Sequence, residues 1–278
     1  MKKKTILTIS TILFVSIITV LLCVVFWPKT TQFTKGVWWW NDNLDSETYL
    51  SFAQQNGINE VYFCNSDFDE KTANFIKQAK EKNIKVFWLA GEYQWLENPT
   101  NLYTQLEKYS QFQQENQHKF SGVHLDIEPH QHPDFDAQRQ TLITKLVQLA
   151  QEVKTKYPNI TFDFDIPFWL DDEIIVNGIQ KPAFQFMIDF ANRVFTMSYR
   201  DTAEKIYSVS EDEIEYAKLT NKTLVLGVET KTNEYDYVTF FEEGKVAMQQ
   251  ELEKLSQTLP QNFGFCIHHI QSWYNLKD

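Results

Sequence analysis

Eight short apolar runs, each separated from the next by a stretch long enough to hold a helix, constrain this chain more than any other feature. The runs are Lys35–Trp40, Asn59–Cys64, Ile84–Ala90, the stretch Phe120–Pro129, Ile160–Ile166, Arg193–Tyr199, Thr223–Val228 and Phe263–His269. They are rich in the β-branched and aromatic residues that strands favour. Between them, Ser46 is the expected cap of a helix that runs to Asn56 and is stopped by Gly57. Helical spacing continues from Asp69 to Lys82 through Ala73, Ile76 and Ala79. Pro99 opens a helix to about Gln117, and Pro133–Tyr157 sets Leu142, Leu146, Leu149 and Val153 on one face. Helical signals are weakest between Lys181 and Asn221, where the loops read as long. Strands alternating with helices imply a parallel sheet. Eight such units within the about 249 residues from 30 to 278 match a (β/α)8 TIM barrel in count and size. Nothing is left over for a second domain.

The N-terminus reads differently. Lys2, Lys3 and Lys4 precede an uncharged run, Thr5–Trp27, which exceeds the roughly 20 apolar residues that span a bilayer. The run ends Leu-Leu-Cys-Val-Val-Phe-Trp-Pro, without a small-x-small cleavage site, and Leu22 precedes Cys23 where a lipobox needs a small residue. The expectation is a single-pass signal anchor, a transmembrane helix within 1–29, with the lysines cytoplasmic and the barrel, 30–278, outside the membrane at the cell surface. Of the three cysteines, Cys23 falls in this run, and no disulfide is expected between Cys64 and Cys266.

The formal net charge of −11 argues against nucleic acid as a partner, since phosphate binding needs basic patches. Aromatic residues make up 15% of the chain. That share allows some rings to line a groove for a flat ligand such as a sugar, in addition to filling the core.

The stretch Phe120–Pro129 splits cleanly at period two. Val123, Leu125 and Ile127 would face the helices, and His124, Asp126 and Glu128 the barrel interior. Barrel enzymes keep their chemistry at the C-terminal ends of the strands. The other strands add Trp38 and Trp40, then Glu92 and Tyr93, the inward pair Asp163 and Asp165, then Met197, Tyr199, Arg200 and Asp201. The seventh ends in Glu229, and the eighth in His268 and His269 followed by Trp273. Several carboxylates at one mouth are hard to explain structurally, because like charges repel in a low-dielectric pocket.

Ser121-Gly-Val-His-Leu-Asp-Ile-Glu128 resembles the strand-four signature of the chitinase-like family 18 glycoside hydrolases, Asp-Gly-x-Asp-x-Asp-x-Glu. Met197-Ser-Tyr199 resembles that family's strand-six Met-x-Tyr, and Trp273 its tryptophan after strand eight. The resemblance implies Glu128 as proton donor, Asp126 as the residue orienting a substrate N-acetyl group that acts as nucleophile, and Tyr199 as its support. Ser121 and His124 stand where the signature has aspartates, and Arg200 where an aspartate follows the tyrosine. Met197-Ser-Tyr-Arg-Asp-Thr202 and Gly227-Val-Glu-Thr230 also resemble a group of bacterial surface barrels. Ile127-Glu-Pro129, with Glu229 after strand seven, resembles the retaining glycosidases of clan A. In that arrangement Glu229 is the nucleophile and Glu128 the acid/base.

The reading is therefore an extracytoplasmic barrel that cleaves an O-glycosidic bond, with a carbohydrate substrate and no cofactor or metal, expected to act as a monomer. Glu92, Asp165, Arg200, His268, Trp38, Trp40 and Trp273 are expected to contact the sugar, with Trp95 and Trp169 as further stacking candidates. Two alternatives stand beside it. One is a barrel that binds glycan without cleaving it. The other is a metal-dependent hydrolase using the ligand-rich run His124-Leu-Asp-Ile-Glu-Pro-His-Gln-His132.

Overall fold

A computed structural model describes residues 32–278. The expected membrane anchor, Thr5–Trp27, lies outside the described residues, and among those described no helix is long and apolar enough to cross a membrane. Eight parallel strands close into a barrel: β1 (Thr34–Trp39), β2 (Glu60–Cys64), β3 (Lys85–Ala90), β4 (Val123–Leu125), β5 (Phe162–Pro167), β8 (Arg193–Met197), β9 (Thr223–Glu229) and β10 (Gly264–His268), which pairs back onto β1. Two further strands, β6 (Glu173–Val176) and β7 (Ile179–Pro182), form an antiparallel hairpin on the β5–β8 connection. Its turn, Asn177-Gly178, has positive φ at both residues, as a two-residue hairpin of this hand needs. The sequence reading missed this hairpin, although Asn-Gly announces one.

The helices are α1 (Ser46–Gln55), α2 (Glu70–Glu81), α3 (Thr100–Glu115), α4 (Phe135–Lys156), α5 (Ala183–Phe190), α6 (Ala203–Val209), α7 (Glu211–Leu219), α8 (Lys245–Thr258) and α9 (Ile270–Asn275). Asp45, not Ser46, caps α1 by accepting from the Thr48 N–H at 3.2 Å, and Ser46 Oγ instead donates to Gln78 at 2.6 Å. Gly57 follows with φ 74°, a conformation glycine adopts without strain.

The period-two reading of the strands holds. Val123, Leu125 and Ile127, with Phe162, Phe164, Ile166, Leu224, Leu226 and Val228, pack outward against the helix layer. Each buried Val, Leu, Ile or Phe contributes about 1.5–3 kcal/mol. The barrel interior is a separate, smaller cluster of Trp38, Tyr62, Phe87, Leu89, Phe195, Val225 and Cys266. Beneath it an ionic floor joins three strands, β2, β5 and β8. Arg193 donates to Asp163 and to Glu60, each at 2.6 Å, and Tyr62 donates to Glu60 at 2.7 Å. Asp163 does face inward, as expected, but its charge is consumed here, far from the mouth.

Two strands stop two or more residues short of the C-terminal ends of their sequence runs. β4 pairs only from Val123 to Leu125, after which a single bond from the Asp126 N–H to Ala90 O keeps the chain against β3. β8 ends at Met197, so Tyr199 sits in the loop that follows.

Candidate active site

A cavity of about 500 Å³ opens at the C-terminal end of the barrel, lined by Trp38, Trp40, Gly91, Tyr93, Asp126, Glu128, Gln131, Asp165, Met197, Tyr199, Lys231, His268 and His269. Strand register brings the acids together. Leu125 lies opposite Phe164, so the next step along the two paired strands sets Asp126 beside Asp165, both pointing inward. Gly91 makes room for Asp126: a Cβ there would stand 1.7 Å from the Asp126 carbonyl oxygen. A larger groove of about 580 Å³, among helix-layer residues such as Met248 and Leu252, contains none of these acids.

Asp165 is almost fully buried, and two side chains converge on its Oδ2. His124 Nε2 lies 2.7 Å away, and Trp38 Nε1 donates at 3.2 Å. Burial lowers the His124 pKa to about 3, so its imidazole is neutral and shares one hydrogen bond with the Asp165 carboxyl. Asp165 Oδ1 and Asp126 Oδ1 are buried and have no partner among the described residues. Burial, then the charges of Asp165 and Glu128, holds the Asp126 carboxyl well above the usual range. Burial and Glu128 raise Asp165 likewise, against the Trp38 hydrogen bond. Two carboxyls side by side in such a pocket cannot both ionise readily.

Glu128 sits higher in the wall. Its Oε1 lies 3.4 Å from His130 Nε2, and its Oε2 accepts from Gln131 Nε2. Burial raises its pKa, opposed by His130 and His268. A carboxyl held protonated toward neutral pH is what a general acid requires. Tyr199, whose phenol burial and the surrounding carboxylates keep protonated, presents a hydroxyl to the same cavity.

Glu229 does not line the cavity. Its Oε1 accepts from the N–H groups of Thr230 and Lys231, both at 2.7 Å, and its Oε2 pairs with His268 Nδ1 at 2.8 Å. His268 is the group that reaches the cavity, and Glu229 orients it.

The expected sugar contacts divide. Trp40, Asp165 and His268 line the cavity. Trp38 also reaches it, but it is 2% exposed and engaged with Asp165, so it braces the floor and offers no open face for stacking. Trp273 is buried in the helix layer against Phe52, and Trp95 is buried there too. Trp169 packs on His130 and Phe135, with Arg139 over its ring. Glu92 is exposed beyond β3, and Arg200 lies on the rim against Phe168 and Tyr237; neither lines the cavity. Gln131, Lys231 and Gly91 escaped the sequence reading. Their only signal was position: Gly91 and Lys231 come one and two residues after β3 and β9, and Gln131 three residues after Glu128.

The ligand-rich run scatters. His124 goes to the barrel interior, His130 stands beside Glu128, and His132 pairs with Glu97 at 3.3 Å. Among the described residues, no three His, Cys, Asp or Glu side chains are grouped to hold a metal ion.

No family model matches the chain, and neither does any curated protein. Solved structures do. A GH18 chitinase from Pseudoalteromonas aurantia superposes with a TM-score of 0.56 over 85% of this chain and 94% of its own, at 14% identity. The glycoside hydrolase domain of PelA from Pseudomonas aeruginosa gives a TM-score of 0.51 over 86% of this chain and 96% of its own, at 9% identity. The chain shares their (β/α)8 barrel. At such identities the likeness concerns the fold alone, and a protein assigned as a deoxyribose-phosphate aldolase from Toxoplasma gondii shares it, with a TM-score of 0.54 over 89% of this chain and 91% of its own at 13% identity. The chemistry of this barrel must therefore be argued from its cavity.

Proposed function

We propose that this barrel hydrolyses a glycosidic bond in a glycan bearing N-acetylated sugars, with Glu128 as general acid and the substrate's own acetamido oxygen as nucleophile. The observation that carries the reading is that Glu128, Asp126 and Tyr199 share one cavity, whereas Glu229 has both oxygens engaged elsewhere. In the first step the Glu128 proton passes to the leaving glycosidic oxygen as its bond to the anomeric carbon breaks, and the acetamido oxygen bonds to that carbon. Asp126 accepts from the acetamido N–H, and the Tyr199 hydroxyl steadies the carbonyl. In the second step Glu128, now ionised, takes a proton from water as the water attacks the anomeric carbon, restoring the acetamido group and the acid. The carboxylate pair of a retaining glycosidase is less favoured, because a nucleophile needs a free oxygen facing the sugar.

We also propose that the domain works outside the cytoplasmic membrane, tethered by the run Thr5–Trp27.

Glu128→Gln keeps the shape of the side chain and removes its proton. The variant is expected to fold normally and to lose about 10²–10⁴-fold in kcat on an unactivated N-acetylhexosaminide. Retention of most activity would overturn the assignment. Wild-type protein that binds glycan yet releases no reducing sugar would identify a binding barrel instead.

A further inference from the structure

Beyond the cavity, three loops meet at the rim in a patch of aromatic rings. Phe168 follows β5, Arg200 follows β8, and Tyr235 and Tyr237 lie in the loop after β9. The Arg200 guanidinium carbon stands 4.9 Å from the Phe168 ring centre and 5.6 Å from that of Tyr237. The Tyr235 and Tyr237 rings lie 5.7 Å apart, inclined at 37°. Arg200 Nη1 donates to the carbonyl oxygen of Tyr199 at 2.7 Å, which ties the patch to a cavity residue. Lys231, at the start of the same β9 loop, lines the cavity, and Thr239 Oγ1 donates to its carbonyl oxygen at 2.6 Å, pinning the loop across its base.

Tyr235, Tyr237 and Phe241 are 53%, 47% and 47% exposed. A single exposed tyrosine needs no explanation, but adjacent rings, one of them packed on a guanidinium that is bonded to the cavity residue Tyr199, form a surface that a ligand can cover. The charge nearby narrows the choice of ligand. Glu243, partly buried, lies close enough to Asp201, Glu242 and Asp236 for their charges to add to the effect of burial in raising its pKa. That acidic border disfavours anionic polymers and anionic lipid surfaces. Flat ring faces beside a guanidinium with further N–H donors suit a neutral or basic sugar, whose C–H face is apolar and whose edge is hydroxylated.

We propose that the ledge formed by Phe168, Arg200, Tyr237 and Tyr235 is a binding site for the sugar units that continue beyond the bond held in the cavity, so that long chains bind more tightly than short ones. The proposal rests on the glycosidase reading of the cavity. A disaccharide fills the cavity alone, and a hexasaccharide reaches the ledge as well.

The test measures binding of an N-acetylhexosamine disaccharide and hexasaccharide to full-length Glu128→Gln protein, which does not consume them. Tyr235→Ala and Tyr237→Ala are made in that background, with Tyr237→Phe as the conservative control. Each alanine variant is expected to weaken hexasaccharide binding about three- to tenfold, with disaccharide binding unchanged and Tyr237→Phe close to the parent. Equal hexasaccharide affinity in the parent and the alanine variants would overturn the ledge while leaving the cavity reading intact. Parallel losses for both sugars would also overturn it, by showing that the rings act through the cavity. Failure of the parent to bind either sugar would overturn the glycosidase reading and the ledge with it.

Discussion

Both oxygens of Glu229 are engaged away from the cavity: two backbone N–H groups take one and the His268 imidazole takes the other. Position after the seventh strand marked it as a nucleophile, and position alone could not reveal these partners. They follow from the way the chain turns after Glu229, folding the amides of Thr230 and Lys231 back onto their own neighbour. Glu229→Gln retains an acceptor for His268 but loses the charge. It is expected to cost about 10–100-fold in kcat, the equivalent of one charge-assisted hydrogen bond, which is less than Glu128→Gln costs. Added azide should not restore activity, since no glycosyl–Glu229 bond is formed. A loss as large as that of Glu128→Gln, with rescue by azide, would reinstate Glu229 as the nucleophile. His124 makes the complementary point. It stands where the family signature has an aspartate, and Asp165 from the next strand supplies the carboxyl beside Asp126.

Element by element, α7 holds the least expected titration. Glu213 is 1% exposed within it, its Oε1 has no partner, and burial raises its pKa to about 8. The unfolded chain releases this proton near the ordinary value of 4.5, whereas the folded protein keeps it to about 8. Rising pH therefore favours the unfolded chain between those values, by about 1.4 kcal/mol per unit at most. Thermal unfolding should show Glu213→Gln gaining stability over the parent as pH climbs through this window, reaching a few kcal/mol above pH 8. Curves that stay parallel from pH 5 to about 9 would refute it. The sequence does not show this: Glu211, Asp212, Glu213 and Glu215 stand within five residues of one another, and only packing decides which of them points inward. Likewise β4 was readable as a strand from its alternation, but its length was not. Its ladder ends at Leu125, and Gly91 lets the backbone of Asp126 settle against β3.

At the scale of the whole molecule, the proposal of an outward-facing, tethered barrel is checked on cells. The protein should sediment with membranes, and protease added to intact cells should degrade the barrel. Recovery in the soluble cytosolic fraction, protected from protease, would refute the location. The (β/α)8 architecture was legible because hydrophobic period and turn chemistry are local. Runs of alternating residues bounded by caps and glycines specify strand or helix almost regardless of what lies far away, and eight such units close in one way.

That same locality marks the limit of the sequence. Alternation along Val123–Glu128 and Phe162–Ile166 determined which side chains face the barrel interior, and with them that Asp126, Glu128 and Asp165 belong to the mouth. Height and company were decided only by tertiary structure. Strand stagger sends Asp163 down to Arg193 and brings Asp165 up beside Asp126. It buries Trp38 under the cavity and leaves Trp273 among the helices. Register, stagger and the burial that shifts a carboxyl's pKa depend on strands far apart in the chain, so no window of sequence contains them.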